Sequence, residues 1–316
     1  MANTKEIQNR IKSIQDTMKI TRAMYMMSSM KLRKARQKLE NTEPYFYGLQ
    51  EQISGILSHF PDMQHQYFDN SSNGQNQSVK KKGYIIITGD KGMAGAYNHN
   101  ILKEAQRLCG DAEERHLFVV GELGRRHFEG QGEPVDPQFH FSANNPSMHR
   151  ARVMTEYIVE LYKEKQLDEV YIIYTRMINS MKEDVEVQQL LPLKTHEFIK
   201  QEMIENSHKG EGNYDKEALD RVDDWFLIYP SPKKVLEKLV YNYVTGFLYG
   251  ALVEGSASEE NARMLAMQSA TDNAEAMLKE LSMEYNRVRQ AAITQEITEV
   301  IGGAKALRKK KKKRVR

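Results

Sequence analysis

Three features of this chain could do chemistry: a glycine-rich turn, a set of histidines and one cysteine. The turn is Gly89-Asp90-Lys91-Gly92-Met93-Ala94-Gly95, placed between the apolar run Tyr84–Thr88 and a helix-like segment. Backbone amides of such a turn, at a helix N-terminus, can cradle a phosphate. Its spacing is GxxGxxG rather than GxGxxG, however, and no Gly-Lys-Ser/Thr follows. A tight strand-to-helix turn needs glycine for its backbone angles without any ligand. No two of the nine histidines stand at HxxxH spacing, and Cys109 is the single cysteine, so neither a Cys–His metal set nor an internal disulfide is available. No GxSxG nucleophile arrangement occurs. The residues therefore predict a chain that is not an enzyme and that holds no cofactor and no metal.

Charge supplies a second kind of candidate. The net charge of +3 depends on the tail 308–316, which carries eight Lys or Arg; without it the chain would stand at −5. Such a run could bind nucleic acid or anionic lipid. It has no interleaved aromatic for base stacking, and residues 254–284 carry seven acidic against two basic side chains. The reading is a solvated, disordered end at 308–316 and no nucleic-acid partner. No stretch of about 18 apolar residues is present, so direct membrane insertion is not expected. Glu6 and Asp16 interrupt the first twenty residues, which lack the apolar core of a signal or transit peptide, and the lone cysteine fits a reducing compartment.

The elements that position these residues follow from where the helix breakers fall. All eight prolines lie between Pro44 and Pro232, and no glycine precedes Gly48. Both ends are therefore free to form very long helices, while the breakers crowd into the middle. In the N-terminal segment Ile7, Ile11, Ile14, Met18, Thr21, Tyr25, Ser28, Leu32, Ala35 and Leu39 follow alternating steps of four and three. That is the spacing of a coiled-coil seam. Met267, Thr271, Ala274, Leu278, Leu281, Tyr285, Val288, Ala292 and Gln295 repeat it near the other end. Ile20, Ala23, Met24, Tyr25, Met26, Met27 and Met30 surround the first helix rather than lining one stripe, which predicts burial on all sides. From Thr17 to Leu39 there are seven Lys or Arg and no acid. Ser231 can cap a second helix with Pro232 at its first position, and Gly255 with Ser256 and Ser258 is the expected bend.

Between the helices the pattern alternates. Strands are expected at Tyr84–Thr88, Leu117–Val120, Val170–Tyr174 and Val185–Leu193, with a short last one at Trp225–Tyr229. Helices are expected at Asn98–Cys109 and 149–165, loops at Asn70–Lys82, and a loop or weak helix at 201–224. The fold class is therefore α/β: a mostly parallel, Rossmann-like central domain at 83–229, flanked by a helix over 1–60 and another over 230–307. Two seams in one chain imply an antiparallel coiled coil within the molecule, with a parallel homodimer as the alternative.

Four blocks, in order along the chain, carry a family resemblance. Lys5-Glu6-Ile7 and Thr17–Met24, Asp90-Lys91-Gly92 with Gly95 and Asn98, Ala266–Ala274, and Ile293–Ala304 (ITQEITEVIGGA) together resemble the γ subunits of F-type ATP synthases. The resemblance implies a central-stalk rotor that couples ion flow through a membrane c ring to conformational cycling of catalytic β subunits, and does no chemistry itself. It implies α and β subunits, an ε subunit and the c-subunit ring as partners. The implied location is peripheral, on the cytoplasmic face of a bacterial plasma membrane. By the same resemblance Met24, Arg289, Gln290 and Thr294 match positions that contact β, and Arg263 and Glu296 join them. Tyr25, Ser28, Ser29 and Met30 depart from the family's usual Glu and small apolar side chains, and Met93-Ala94 from its Leu-Cys.

Overall fold

The computed structural model describes residues 4–60, 63, 65–68, 80–110, 114–194, 198 and 228–314, with side chains up to residue 305 in the last segment. Helix α1 spans Thr4–His59 and helix α5 spans Pro232–Arg314. Between them lie β1 (Lys81–Ile87), α2 (Tyr97–Gly110), β2 (Glu114–Val120), α3 (Glu122–Gly130), α4 (Met148–Lys163), β3 (Glu169–Met177) and β4 (Glu183–Leu191). At about 1.5 Å per residue α1 measures roughly 84 Å and α5 roughly 120 Å along its axis.

The chain forms two compact units, one of residues 1–28 with 264–316 and one of residues 29–263. In the second unit the strand order is β2-β1-β3-β4, with β1 parallel to both β2 and β3 and β4 antiparallel to β3. Alternation along β1 sends Tyr84 and Ile86 to one face, where they join Ile101, Ala105 and Cys109 of α2, Leu117 and Val119 of β2, and Phe128 of α3. Phe118 on the opposite face meets Phe139 and Tyr157 edge to face. Helices thus cover both sides of a mostly parallel sheet, as its near-continuous apolar strands require.

The long helices run antiparallel inside this unit. Lys31 pairs with Glu260 at 2.8 Å, Phe46 stacks on Tyr243 at 4.9 Å, and Phe46 also touches Phe247. Pro44 lies within α1. It removes one helical amide, and two residues later Phe46 packs against Tyr243 and Phe247. In the first unit the Thr21 and Thr271 hydroxyls meet at 2.8 Å, and Arg22 forms an ion pair with Glu275. Every one of the ten heptad positions from Ile7 to Leu39 is buried or half-buried. The C-terminal set is covered from Met267 to Ala292, and only Gln295 is exposed.

Several boundaries differ from expectation. The sheet starts at Lys81, inside the expected 70–82 loop, because β1 continues to pair with Glu114 and Arg115. Helix α3 fills a stretch that carried too few apolar residues to register as a helix. Gly255 does not end or interrupt α5. A Cβ there would stand 3.1 Å from Ile87 Cγ2 and 3.4 Å from the Tyr97 hydroxyl, so this glycine permits close approach of helix to sheet. The backbone of residues 308–314, expected as disordered, continues α5; Lys and Arg are good helix formers and no proline stops them. Residues 201–224 and most of the expected strand 225–229 lie outside the described residues, and Ile228 and Tyr229 are not in a strand.

Candidate functional site

The glycine turn is the most enzyme-like feature of the chain. Thr88 and Gly89 leave β1 beside the start of α3, whose first amides need acceptors. The chain supplies all of them itself. Asp90 accepts from the Glu122 amide at 3.2 Å, the Gly89 carbonyl from the Leu123 amide at 3.2 Å, and Thr88 Oγ1 from the Gly124 amide at 3.1 Å. Asp90 also accepts from Ser142 Oγ at 2.5 Å and from the Ala143 and Asn144 amides at 3.2 and 3.1 Å. Burial would push the Asp90 carboxyl up; these hydrogen bonds outweigh it and hold the carboxyl below its ordinary value. The Gly89 amide itself donates to Asn98 Oδ1 at 2.8 Å.

Helix α5 closes the turn from the other side. Arg263 is only 8% exposed and pairs with Glu259 at 2.5 Å and Glu260 at 3.1 Å. It also lies 3.4 Å from the carbonyls of Lys91 and Gly92. Burial pushes the Glu259 carboxyl up, and the Arg263 guanidinium offsets part of that. A phosphate entering here would meet the carboxylates of Asp90 and Glu259, and the Gly89 amide and the first amides of α3 already have acceptors. The arrangement is a structural joint that fastens α5 to the sheet. Asn261 extends it by donating to the Ser180 carbonyl and to Glu183, each at 3.2 Å, and Ser258 Oγ donates to the Thr175 carbonyl at 3.0 Å.

Sequence reasoning did not single out Glu259, Glu260 or Asn261. Their only signal is three polar residues in a row where the helix passes a predicted domain, and the same pattern describes a solvated face. Cys109 is buried, and desolvation pushes its thiol up to about 12, so it is no nucleophile at neutral pH. Among the described residues no group of three or more His, Cys, Asp or Glu side chains could hold a metal ion.

The remaining candidates lie in the other unit. Met24 is half-buried, whereas Arg289, Gln290, Thr294 and Glu296 are exposed. Gln290 and Thr294 stand one turn apart, joined by a 2.8 Å bond from the Thr294 hydroxyl to the Gln290 carbonyl. Arg263 belongs with the glycine turn and is not brought to these residues. Every residue from 293 to 305 is exposed, including Ile293, Ile297, Val300 and Ile301 at 44–72%. Ile20, Met26 and Met27 are likewise uncovered by this chain. The expectation of burial on all sides is therefore not met within the molecule, because one helix partner can cover only one stripe.

A family model described as ATP synthase matches residues 3–307. The ATP synthase gamma chain of Ruminiclostridium cellulolyticum is 43% identical over 307 residues, covering 96% of this chain and 99% of that protein. This chain belongs to the ATP synthase gamma chain family. The sodium ion specific gamma chain of Acetobacterium woodii is 38% identical over 96% of this chain and 99% of its own length. Among solved structures, a central stalk chain of the Tetrahymena thermophila mitochondrial ATP synthase, determined with its c ring, superposes with a TM-score of 0.55. It is 21% identical and covers 79% of this chain and 99% of that one, a likeness of fold. Gamma chains are non-catalytic subunits of ATP synthase. No described helix is long and apolar enough to cross a membrane.

Proposed function

We propose that this gamma chain is the central-stalk rotor of an F-type ATP synthase, with the paired ends of α1 and α5 held inside a ring of α and β subunits. The supporting observation is the free end of α5. Four large aliphatic side chains at 293, 297, 300 and 301 recur at helical spacing with no cover from their own chain. Exposed apolar stripes of this kind are covered in the working assembly. Met24, Arg289, Gln290, Thr294 and Glu296 are the contacts offered to the β subunits, and the basic, acid-free surface of 17–39 suits acidic partner surfaces.

In this reading the sheet-bearing unit sits outside the ring, beside an ε subunit and the c ring, peripheral to the cytoplasmic face of a bacterial plasma membrane. Rotation driven by ion flow presents different sides of an asymmetric shaft to each β subunit and so shifts its nucleotide affinity. Arg263, committed to Glu259 and the glycine turn, stiffens the joint through which torque passes and does not itself touch β. Co-expression with α and β subunits tests the whole. A complex that co-purifies and whose ATP hydrolysis drives rotation of this chain is the expected result; failure to assemble with α and β would sink it.

A further inference from the structure

The sheet-bearing unit contains a groove of about 370 Å³ between α1, the β3–β4 face and α5. That volume is in the range of small-ligand sites, about 300–1,000 Å³. Four aromatic rings follow one another along it. Tyr47 meets Phe46 at 6.5 Å and 64°, Phe46 meets Phe247 at 5.9 Å and 50°, and Phe247 meets Tyr174 at 6.3 Å and 85°. All four rings line the groove. The opposite lining is acidic, with three carboxylates, Glu43, Glu186 and Glu254, against one guanidinium, Arg176.

Glu186 lies 3.5 Å from Arg176 and offsets it. Glu43 accepts from the Tyr47 hydroxyl at 3.2 Å and Glu254 from the Met177 amide at 3.0 Å. Neither has a cation within ion-pair distance among the described residues. Gly246 and Gly250, one turn apart on α5, keep the floor open, and a Cβ at Gly250 would meet nothing within 4 Å.

We propose that this groove binds an organic ammonium ion bearing apolar substituents. Aromatic faces attract a cation through their quadrupoles, and most strongly one too weakly hydrated to prefer water. Uncompensated carboxylates exclude anions and add attraction for the same charge. A small metal ion, held in its hydration shell, would gain little from the rings, and a neutral apolar molecule would gain nothing from Glu43 and Glu254. This site is separate from the glycine turn and from the exposed shaft, and it does not depend on the rotor reading.

Calorimetric titration of the full chain with choline, and with its neutral isostere 3,3-dimethyl-1-butanol, tests the assignment. Saturable one-site binding of choline, about ten-fold tighter than the alcohol, is expected. Glu43→Gln should weaken it several-fold, and Gly250→Leu, whose side chain would fill the groove, should abolish it. Tyr47→Ala, at a half-exposed position, gives a second route to the same loss should Gly250→Leu not fold. No saturable choline binding, equal binding of the alcohol, or full binding by both Gly250→Leu and Tyr47→Ala would overturn the proposal.

Discussion

Thr21 and Thr271 are separated by 250 positions in the chain, yet their hydroxyls meet at 2.8 Å, and both sit on the seams that the heptad count picks out. Each also lies within bonding distance of a carbonyl of its own helix, Thr21 of Met18 at 3.0 Å and Thr271 of Met267 at 2.8 Å, so one hydroxyl donates to its carbonyl while accepting from the other. The pair is therefore satisfied without water, and it fixes the register of α1 against α5.

Cysteines at these two positions should form a disulfide within one chain, since contacting γ oxygens place the Cβ atoms near the separation a disulfide needs. Non-reducing electrophoresis should show a monomer of altered mobility. Only dimeric products would mean that the seams pair between chains. Thr21→Val alone leaves a buried hydroxyl short of one partner and should lower stability by about 1–2 kcal/mol, while the double change to Val should recover most of it.

Removing Arg263 should be far more harmful than its surface-like residue type suggests. Arg263→Met leaves the Glu259 carboxylate buried without its cation and leaves Glu260 with Lys31 alone. Loss of one partner from a buried ion pair costs about 3–5 kcal/mol. Thermal denaturation of the gamma chain should show a drop of many degrees, and a change near zero would mean the joint is solvated.

The glycines on the two sides of this joint, Gly92 in the turn and Gly121 before α3, should differ sharply from one another. Gly121 has φ of +94°, and a Cβ would stand 2.3 Å from the Thr88 carbonyl oxygen, so Gly121→Ala should prevent stable folding. Gly92 has ordinary backbone angles and nothing within 4 Å of a Cβ, so Gly92→Ala should shift stability by no more than about 0.5 kcal/mol. Equal effects of the two substitutions in urea titrations would contradict the assigned geometry.

Glu183 gives a pH signature. Burial raises its carboxyl above the ordinary value of 4.5, partly offset by the bond from Asn261. A raised folded-state pKa favours the protonated form, so the favourable contribution is fully present below the unfolded-state value. It is lost as pH rises through the folded-state one, leaving a charge held at a disadvantage at neutral pH. Glu183→Gln, which can still accept from Asn261, should therefore be more stable than the parent chain at pH 7. Its advantage should vanish at pH values below 4.5. An advantage independent of pH would point to packing instead.

Arg289 and Gln290 should matter only in the assembly. Both are exposed on a helix face with no cover from the chain. Replacing both by Ala should change the stability of the isolated chain by no more than about 0.5 kcal/mol. In a reconstituted complex, loss of charge-assisted bonds worth about 1.5–3 kcal/mol should reduce ATP synthesis several-fold or more. Synthesis at the parental rate would make these residues solvated polarity.

The sequence by itself determined what is local or periodic. The absence of proline and early glycine set the two long helices, and the four-three steps named the covered face of α1 residue by residue. Alternating apolar runs gave the four strands of the sheet to within a few positions. Strand order was not legible, because β1 pairs β3 across about ninety residues through contacts that no local pattern encodes. Nor was the fate of the polar residues. Arg263 and Arg289 look alike in a list of helix residues; one is buried against Glu259 and the glycine turn, and the other faces solvent. Gly255 read as a bend and proved to be a place where Ile87 and Tyr97 come close. Whether a charge is exposed or paired depends on what packs over it. That is decided only when helix and sheet, distant in sequence, bury each other's apolar faces and bring their polar groups within bonding distance.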